Sequence, residues 1–129
     1  MAETIELEIV TPTRQVVREA VTDVEIPGKD GYLGILPGHA ALLGVLGAGA
    51  LAYSAGGRKR YLAIQGGFVE VLPEHVRVLA DTAERAEEID AAGAKADLSR
   101  AEAAFATDPE NALRAAALAQ ARIDAAKHV

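Results

Sequence analysis

A chain of 129 residues, half of them apolar, with a formal charge of −6 and neither cysteine nor tryptophan, has room for one ordinary domain or two small ones around a real core. The acidic balance argues against nucleic-acid binding, which runs on cationic side chains, and the missing cysteines exclude a disulfide scaffold, a thiolate metal site and a cysteine nucleophile. No stretch reaches the roughly 20 apolar residues of a membrane-spanning helix, and the N-terminal residues show neither the basic nor the apolar region of a signal peptide, so any membrane association is expected to go through a partner.

Composition changes near residue 82. Eleven of the 12 glycines and all valines but Val129 come before that point, whereas 18 alanines lie in 83–129. β-Branched residues fit a pleated, half-buried surface and alanine favours helix. The expected fold is an N-terminal antiparallel β-sandwich, residues 1–85, followed by a C-terminal antiparallel helical hairpin, residues 86–129.

In chain order, Ile5, Leu7 and Ile9 alternate with Glu6 and Glu8, the period-2 mark of a half-buried strand, and Thr11-Pro12 ends it. Val16-Val17 and 21–26 read as the next strands, the second closed by Pro27-Gly28. Asp30-Gly31 is a tight-turn dipeptide, and a short strand over 33–36 stops at Pro37-Gly38. Segments 49–54 and 61–64 flank the turn Gly56-Gly57; 68–72 and 76–80 flank Pro73-Glu74. Strands of this length and spacing make a sandwich or barrel. Asp90 can cap a helix running to about Ala106, with Asp81-x-x-Glu84 as an alternative, earlier start. Ala94, Leu98, Ala101 and Phe105 share one face of it. Asp108-Pro109-Glu110 restarts a helix in which Leu113, Ala117 and Ala121 fall near one face. The short loop makes the helices antiparallel. Their alanine faces bury little area, so the hairpin needs the sandwich, itself or a partner to hold it.

The residues form no reactive constellation. His39 reads as a loop histidine at a contact surface rather than a general base, because neither Ser54 nor Ser99 has an activating context. His75 and His128 lack metal-ligand spacing, so no metal is expected. The glycines at 31–34 and 44–49 lack the Lys-Ser/Thr of a phosphate loop and read as turns. Arg58-Lys59-Arg60 reads as a solvated turn that protects a sheet edge. From these features alone, the chain is a binding or structural module.

Three motifs go further. Thr11-Pro12-Thr13-Arg14, the run from Ile26-Pro27-Gly28 through Gly31 and Leu33-Gly34-Ile35-Leu36-Pro37-Gly38-His39-Ala40, and Gln65-Gly66-Gly67-Phe68-Val69-Glu70-Val71 followed by Val76, Val78-Leu79-Ala80-Asp81 and Ala83 resemble the epsilon subunit of the bacterial-type F-type ATP synthase. The resemblance covers essentially the whole chain in order. It implies a non-catalytic rotor subunit of the central stalk. The sandwich would bind the gamma subunit and the c ring, and so couple proton flow to ATP synthesis at the cytoplasmic face of the bacterial cell membrane. It assigns Gly31, Tyr32, Gly34, His39, Ala40 and Leu42 to the gamma and c-ring contacts. For the hairpin it implies contacts with the catalytic alpha and beta subunits and, in some members, an ATP site; the matching positions are Glu84, Ile89, Asp90, Arg100, Arg114 and Arg122. The family's Ile/Leu-Asp-x-x-Arg-Ala pattern reads Ile89-Asp90-Ala91-Ala92-Gly93-Ala94 here. With glycine in place of the motif arginine, ATP binding is expected to be weak or absent, no other cofactor is expected, and inhibition of ATP hydrolysis is expected to be modest at most. The rival reading is a free-standing regulator that senses nucleotide with its hairpin.

Overall fold

Alternation places Ile5, Leu7 and Ile9 inside and their glutamate neighbours outside, and the same rule builds the rest of the sandwich. The computed structural model describes residues 3–129; Met1 and Ala2, at the head of the segment read above for a signal peptide, lie outside the described residues. The strands are β1 (Ile5–Val10), β2 (Gln15–Val21), β3 (Asp23–Gly28), β4 (Gly31–Ile35), β5 (Leu42–Val45), β6 (Ala48–Ala55), β7 (Arg58–Leu72) and β8 (His75–Arg85). A single 3-10 turn, Ala86–Glu88, leads into helices α1 (Ala91–Ala104) and α2 (Pro109–Ala126). Strand order is β2-β1-β8-β7-β6-β3-β4, with β5 also paired to β7. Every ladder is antiparallel except β1 with β8, which is parallel.

The β7–β8 hairpin is the spine. The first half of β7 pairs with β6 and the second half with β5. Between the halves stand Gly66 and Gly67, at φ +70° and +100°, where a side chain would be strained. A Cβ on Gly67 would also run into the Leu79 carbonyl oxygen across the ladder. On the other side, the Leu46 N–H donates to the Gly67 carbonyl (2.9 Å) and the Gly66 N–H donates to the Gly47 carbonyl (3.1 Å). The sheet therefore bends over on itself without losing its hydrogen bonds. The bend closes the two layers over Val24, Ile26, Leu51, Leu62, Ile64, Val69, Val71, Val76 and Val78, all buried.

The fold class is the expected one, and four details differ. The segment 21–26 is two elements, because the chain passes between layers at Thr22, whose N–H donates to the Ser54 carbonyl (2.8 Å). Segments 61–64 and 68–72 are one bent strand, since the glycine corner keeps the ladder intact. β5 falls in the glycine-interrupted apolar run, where no alternation signals it. The alternative helix start at Asp81 and Glu84 is instead the end of β8.

The hairpin begins at the expected caps. An Asp90 carboxylate oxygen accepts from the Gly93 N–H (3.0 Å), and Asp108 accepts from the Asn111 N–H ahead of α2. In α1, Ala94 and Ala101 are buried as expected, but Leu98 is half-buried and Phe105 exposed. In α2 the buried residues are Ala112, Ala119, Ala121 and Ala125, while Leu113 and Ala117 are exposed. Close approach selects the face: alanines let the helices reach each other and the sheet, while Phe105 and Leu113 turn outward. Ala121 and Ala125 pack on Ala63 and Ala86, bordered by Ala50, Tyr61 and Ile89. The Tyr61 and His128 rings stack with centroids 3.7 Å apart, so the hairpin lies folded against the sandwich.

The corner makes a direct prediction. Gly67→Ala combines a strained φ, costing about 1–3 kcal/mol, with a backbone collision. Gly56→Ala, at φ +58° with open space around it, carries the strain alone. Urea unfolding is expected to show the larger loss for Gly67→Ala.

Candidate assembly surfaces

Tyr32 is held by a gap in the sheet. The β3–β6 ladder runs through Asp23 with Ser54, Val24 with Tyr53 and Glu25 with Ala52, and the chains next meet at Gly28 and Leu46. Inside this gap the Ala50 N–H donates to the Tyr32 hydroxyl (3.1 Å), which replaces the missing rung. The phenol reaches across Pro27 to Gly49, where a Cβ would collide with it; the rest of the Tyr32 ring is exposed. Gly31 needs its glycine, at φ +135°, whereas Gly34 has an ordinary φ and open space around it. Gly31, Tyr32 and Leu42 line one groove of about 480 Å³, together with Leu43 and Val45. Gly34, His39 and Ala40 do not join it. His39 sits at the far end of β4, beside the β7–β8 turn, where the Gly38 N–H donates to the Pro73 carbonyl (2.8 Å). The His39 ring donates from Nδ1 to the Ala40 carbonyl (2.7 Å).

A second surface escaped the motif reading. On the outside of the β5–β7–β8–β1 layer, Val45, Phe68, Leu79 and Val10 form one cross-strand row. Beside it runs Leu43, Glu70, Arg77 and Glu8. Leu43 is 73% exposed, Val45 50%, Phe68 54% and Leu79 44%. A contiguous apolar patch rimmed by charge marks an interaction site. The signal was present in the sequence: Phe68 and Leu72 are apolar in one phase of β7, Val69 and Val71 in the other, the mark of a strand covered on both faces. In the charged row the Arg77 guanidinium donates to Glu8 (3.0 Å) and Gln15 donates to the other Glu8 oxygen (2.7 Å). The Arg77 hydrogen bond holds the Glu8 carboxyl below its ordinary pKa, against the opposing effect of burial.

The hairpin residues divide. Arg122 Nε donates to Glu84 Oε1 (2.8 Å) and its Nη1 to Asp97 Oδ2 (3.4 Å), while Arg100 pairs with the same Asp97. Arg100 and Arg122 border a groove of about 390 Å³ between the helices, with Asp97 and Asp108. Glu84, Arg100 and Arg122 are thus brought together through Asp97. Ile89 is half-buried at the foot of the hairpin, Asp90 is occupied as a cap, and Arg114 meets the sandwich through its carbonyl, which accepts from Gln65 Nε2 (3.0 Å). Among the described residues no cluster of His, Asp and Glu could hold a metal, and no helix is long and apolar enough to cross a membrane.

A sandwich with open apolar faces, carrying an ion-paired helical hairpin, defines a protein that works by contact within an assembly. Residues 4–86 match the family model described as the ATP synthase delta/epsilon chain β-sandwich domain. The ATP synthase epsilon chain of Solibacter usitatus is 56% identical over 128 residues, covering 95% of this chain and 96% of that one. That of Koribacter versatilis is 53% identical over 102 residues, covering 79% and 72%. A chain in the cryo-EM structure of the Euglena gracilis mitochondrial ATP synthase (OSCP/F1/c-ring) superposes with a TM-score of 0.84 at 26% identity, covering 97% of this chain and 82% of that one. The chain belongs to the ATP synthase epsilon chains, non-catalytic central-stalk subunits. The rival reading as a free-standing nucleotide sensor is not favoured, because the relatives along its length are ATP synthase chains.

Two outcomes follow from the geometry. Tyr32→Phe removes the Ala50 partner and is expected to cost about 1 kcal/mol in urea unfolding, whereas Gly34→Ala is expected to leave stability unchanged. The lowered Glu8 pKa means that its contribution is full above the unfolded value, near 4.5, and is lost as pH falls from there through the folded value. In acid titrations of the urea midpoint, Glu8→Gln is expected to fall less steeply below that pH than the wild type.

Proposed function

We propose that this chain joins the gamma subunit to the c ring of a bacterial F-type ATP synthase, and thereby couples proton flow to ATP synthesis at the cytoplasmic face of the cell membrane. The observation that carries the reading is the exposed row Val45–Phe68–Leu79 with Leu43 beside it, which offers gamma an apolar face. Gly31, Tyr32 and Leu42, on the adjoining groove, and Gly34, His39 and Ala40, along the exposed edge of β4 and its loop, serve the remaining gamma and c-ring contacts.

Two units divide this work. Residues 1–85 carry the docking surfaces, and residues 86–129 form a regulatory hairpin that reaches the catalytic alpha and beta subunits. Its nucleotide affinity is weak or nil, for two reasons. Gly93 supplies no guanidinium, and Arg100 and Arg122 are already neutralised by Asp97 and Glu84. Inhibition of hydrolysis is correspondingly modest.

The test of docking is gamma capture. Phe68→Asp and Leu43→Asp alter exposed side chains and are expected to abolish capture while the melting temperature holds; full capture by both would overturn the docking face. A chain truncated after Ala86 is expected to fold and still capture gamma. For the hairpin, calorimetry with the full chain is expected to show no ATP binding tighter than roughly 1 mM, about −4 kcal/mol. Micromolar affinity would refute that reading and leave the docking result untouched.

A further inference from the structure

Contacts between hairpin and sandwich comprise an alanine packing layer, the Tyr61–His128 ring stack, the hydrogen bond from Gln65 to the Arg114 carbonyl, and one charged node. The apolar part is made mostly of alanines, Ala121 and Ala125 on Ala63 and Ala86. Each buries little more than a methyl group, well short of the 1.5–3 kcal/mol or so of a buried leucine or valine. The charged part is a single node. Arg122, with a side chain only 19% exposed, donates to Glu84 on β8 through Nε (2.8 Å) and Nη2 (3.4 Å), and to Asp97 on α1 through Nη1 (3.4 Å). Among the described residues this is the only ion pair between either helix and a strand.

We propose that Glu84, Arg122 and Asp97 form a charge-operated latch, which fastens the hairpin to the sandwich and the two helices to each other. One guanidinium fork joins three elements, and its planar geometry fixes their relative position as an ammonium could not. Glu84 sets where α2 sits on the sheet, and Asp97 sets where α1 sits on α2. Because two carboxylates satisfy the guanidinium, the latch closes without any phosphate. It opens when either partner loses its charge, which leaves Arg122 half-buried and underpaired. Added salt opens it too, since Glu84 and Asp97 remain partly exposed and screening reaches such pairs. The sandwich does not open with it, because its core of Ile5, Leu7, Ile9 and their neighbours is a cluster separate from the alanine contact. The latch does not depend on gamma or c-ring docking.

The chain has no native cysteine, so a donor–acceptor pair can be placed on Thr82→Cys in β8 and Glu102→Cys in α1, both exposed sites. Energy transfer in the full chain then reads docked against released hairpin, and hydrogen exchange in β1 and β7 reads the sandwich. Glu84→Gln and Arg122→Gln are each expected to raise the released-to-docked ratio about tenfold. The double variant is expected to go no further than the singles. Salt near 1 M, where the screening length is about 3 Å, is expected to release the wild type and to leave the double variant unchanged. Protection in β1 and β7 is expected to hold throughout. Wild-type docking in Glu84→Gln, additive losses in the double variant, or loss of β1 and β7 protection together with docking would each overturn the latch; the last would make the pair part of the fold itself.

Discussion

The bend at Gly66 and Gly67 is the constraint on which the other features rest. It lets two long strands serve both layers, so β7 presents different work on either side of one corner. Before the corner, Tyr61, Ala63 and Gln65 seat α2. Beyond it, Phe68 and Glu70 face outward into the apolar and charged rows. The angle of the bend therefore sets how the hairpin is oriented relative to the proposed docking face. A side chain at Gly67 would push against the Leu79 backbone, and Leu79 is itself part of the exposed row. Core closure, helix seating and surface presentation are thus mechanically linked through a few ladder residues.

Residue size divides the surfaces by function. Where helix packs on sheet, the side chains are mostly alanines and the backbones come close. On the sheet face proposed for docking, the side chains are large and left uncovered: Leu43, Val45, Phe68 and Leu79; Phe105 and Leu113 are likewise exposed on the hairpin. Exposed apolar area is costly in a free subunit, and in a stalk component that cost is offset when the faces are covered. The internal alanine contact has no comparable reserve.

Much of the fold was legible because its signals are local. The switch from valine and glycine to alanine divides strands from helices, and Asp90 and Asp108 cap the helices where their side chains predict. The misses have physical causes. A helix in which alanine occupies most positions has no contrast between its faces, so the larger Leu113 misleads. β5 hides in an apolar run because its partner on β7, and not its own alternation, makes it a strand. The site was less legible than the fold. Tyr32 carries no mark of the Ala50 hydrogen bond, since the gap it fills arises between β3 and β6, far apart in sequence. The outer apolar row was available as two-phase hydrophobicity in β7 but is spread over four strands. The motif match points to Glu84, Arg100 and Arg122 as ligand contacts, but their mutual pairing through Asp97 arises only where three elements distant in sequence meet.

That pairing changes the meaning of Gly93. A Cβ at this position would meet the Asp90 carboxylate that caps α1, so an arginine there must re-aim the cap as well as supply its charge. Glycine leaves the cap undisturbed and removes one cation from a hairpin that already pairs Arg122 with two carboxylates and Arg100 with one of the same two. The cluster of Glu84, Asp97, Arg100 and Arg122 is thus closed among its own side chains, with neither of its guanidiniums left over for a phosphate. An alanine interface contributes weak and nearly directionless attraction, which by itself would tolerate sliding of α2 along the sheet. A guanidinium gripping one carboxylate on β8 and another on α1 tolerates no such sliding. Apolar burial thus holds the hairpin only weakly, and in the proposed latch the charge node both fastens it and fixes its register.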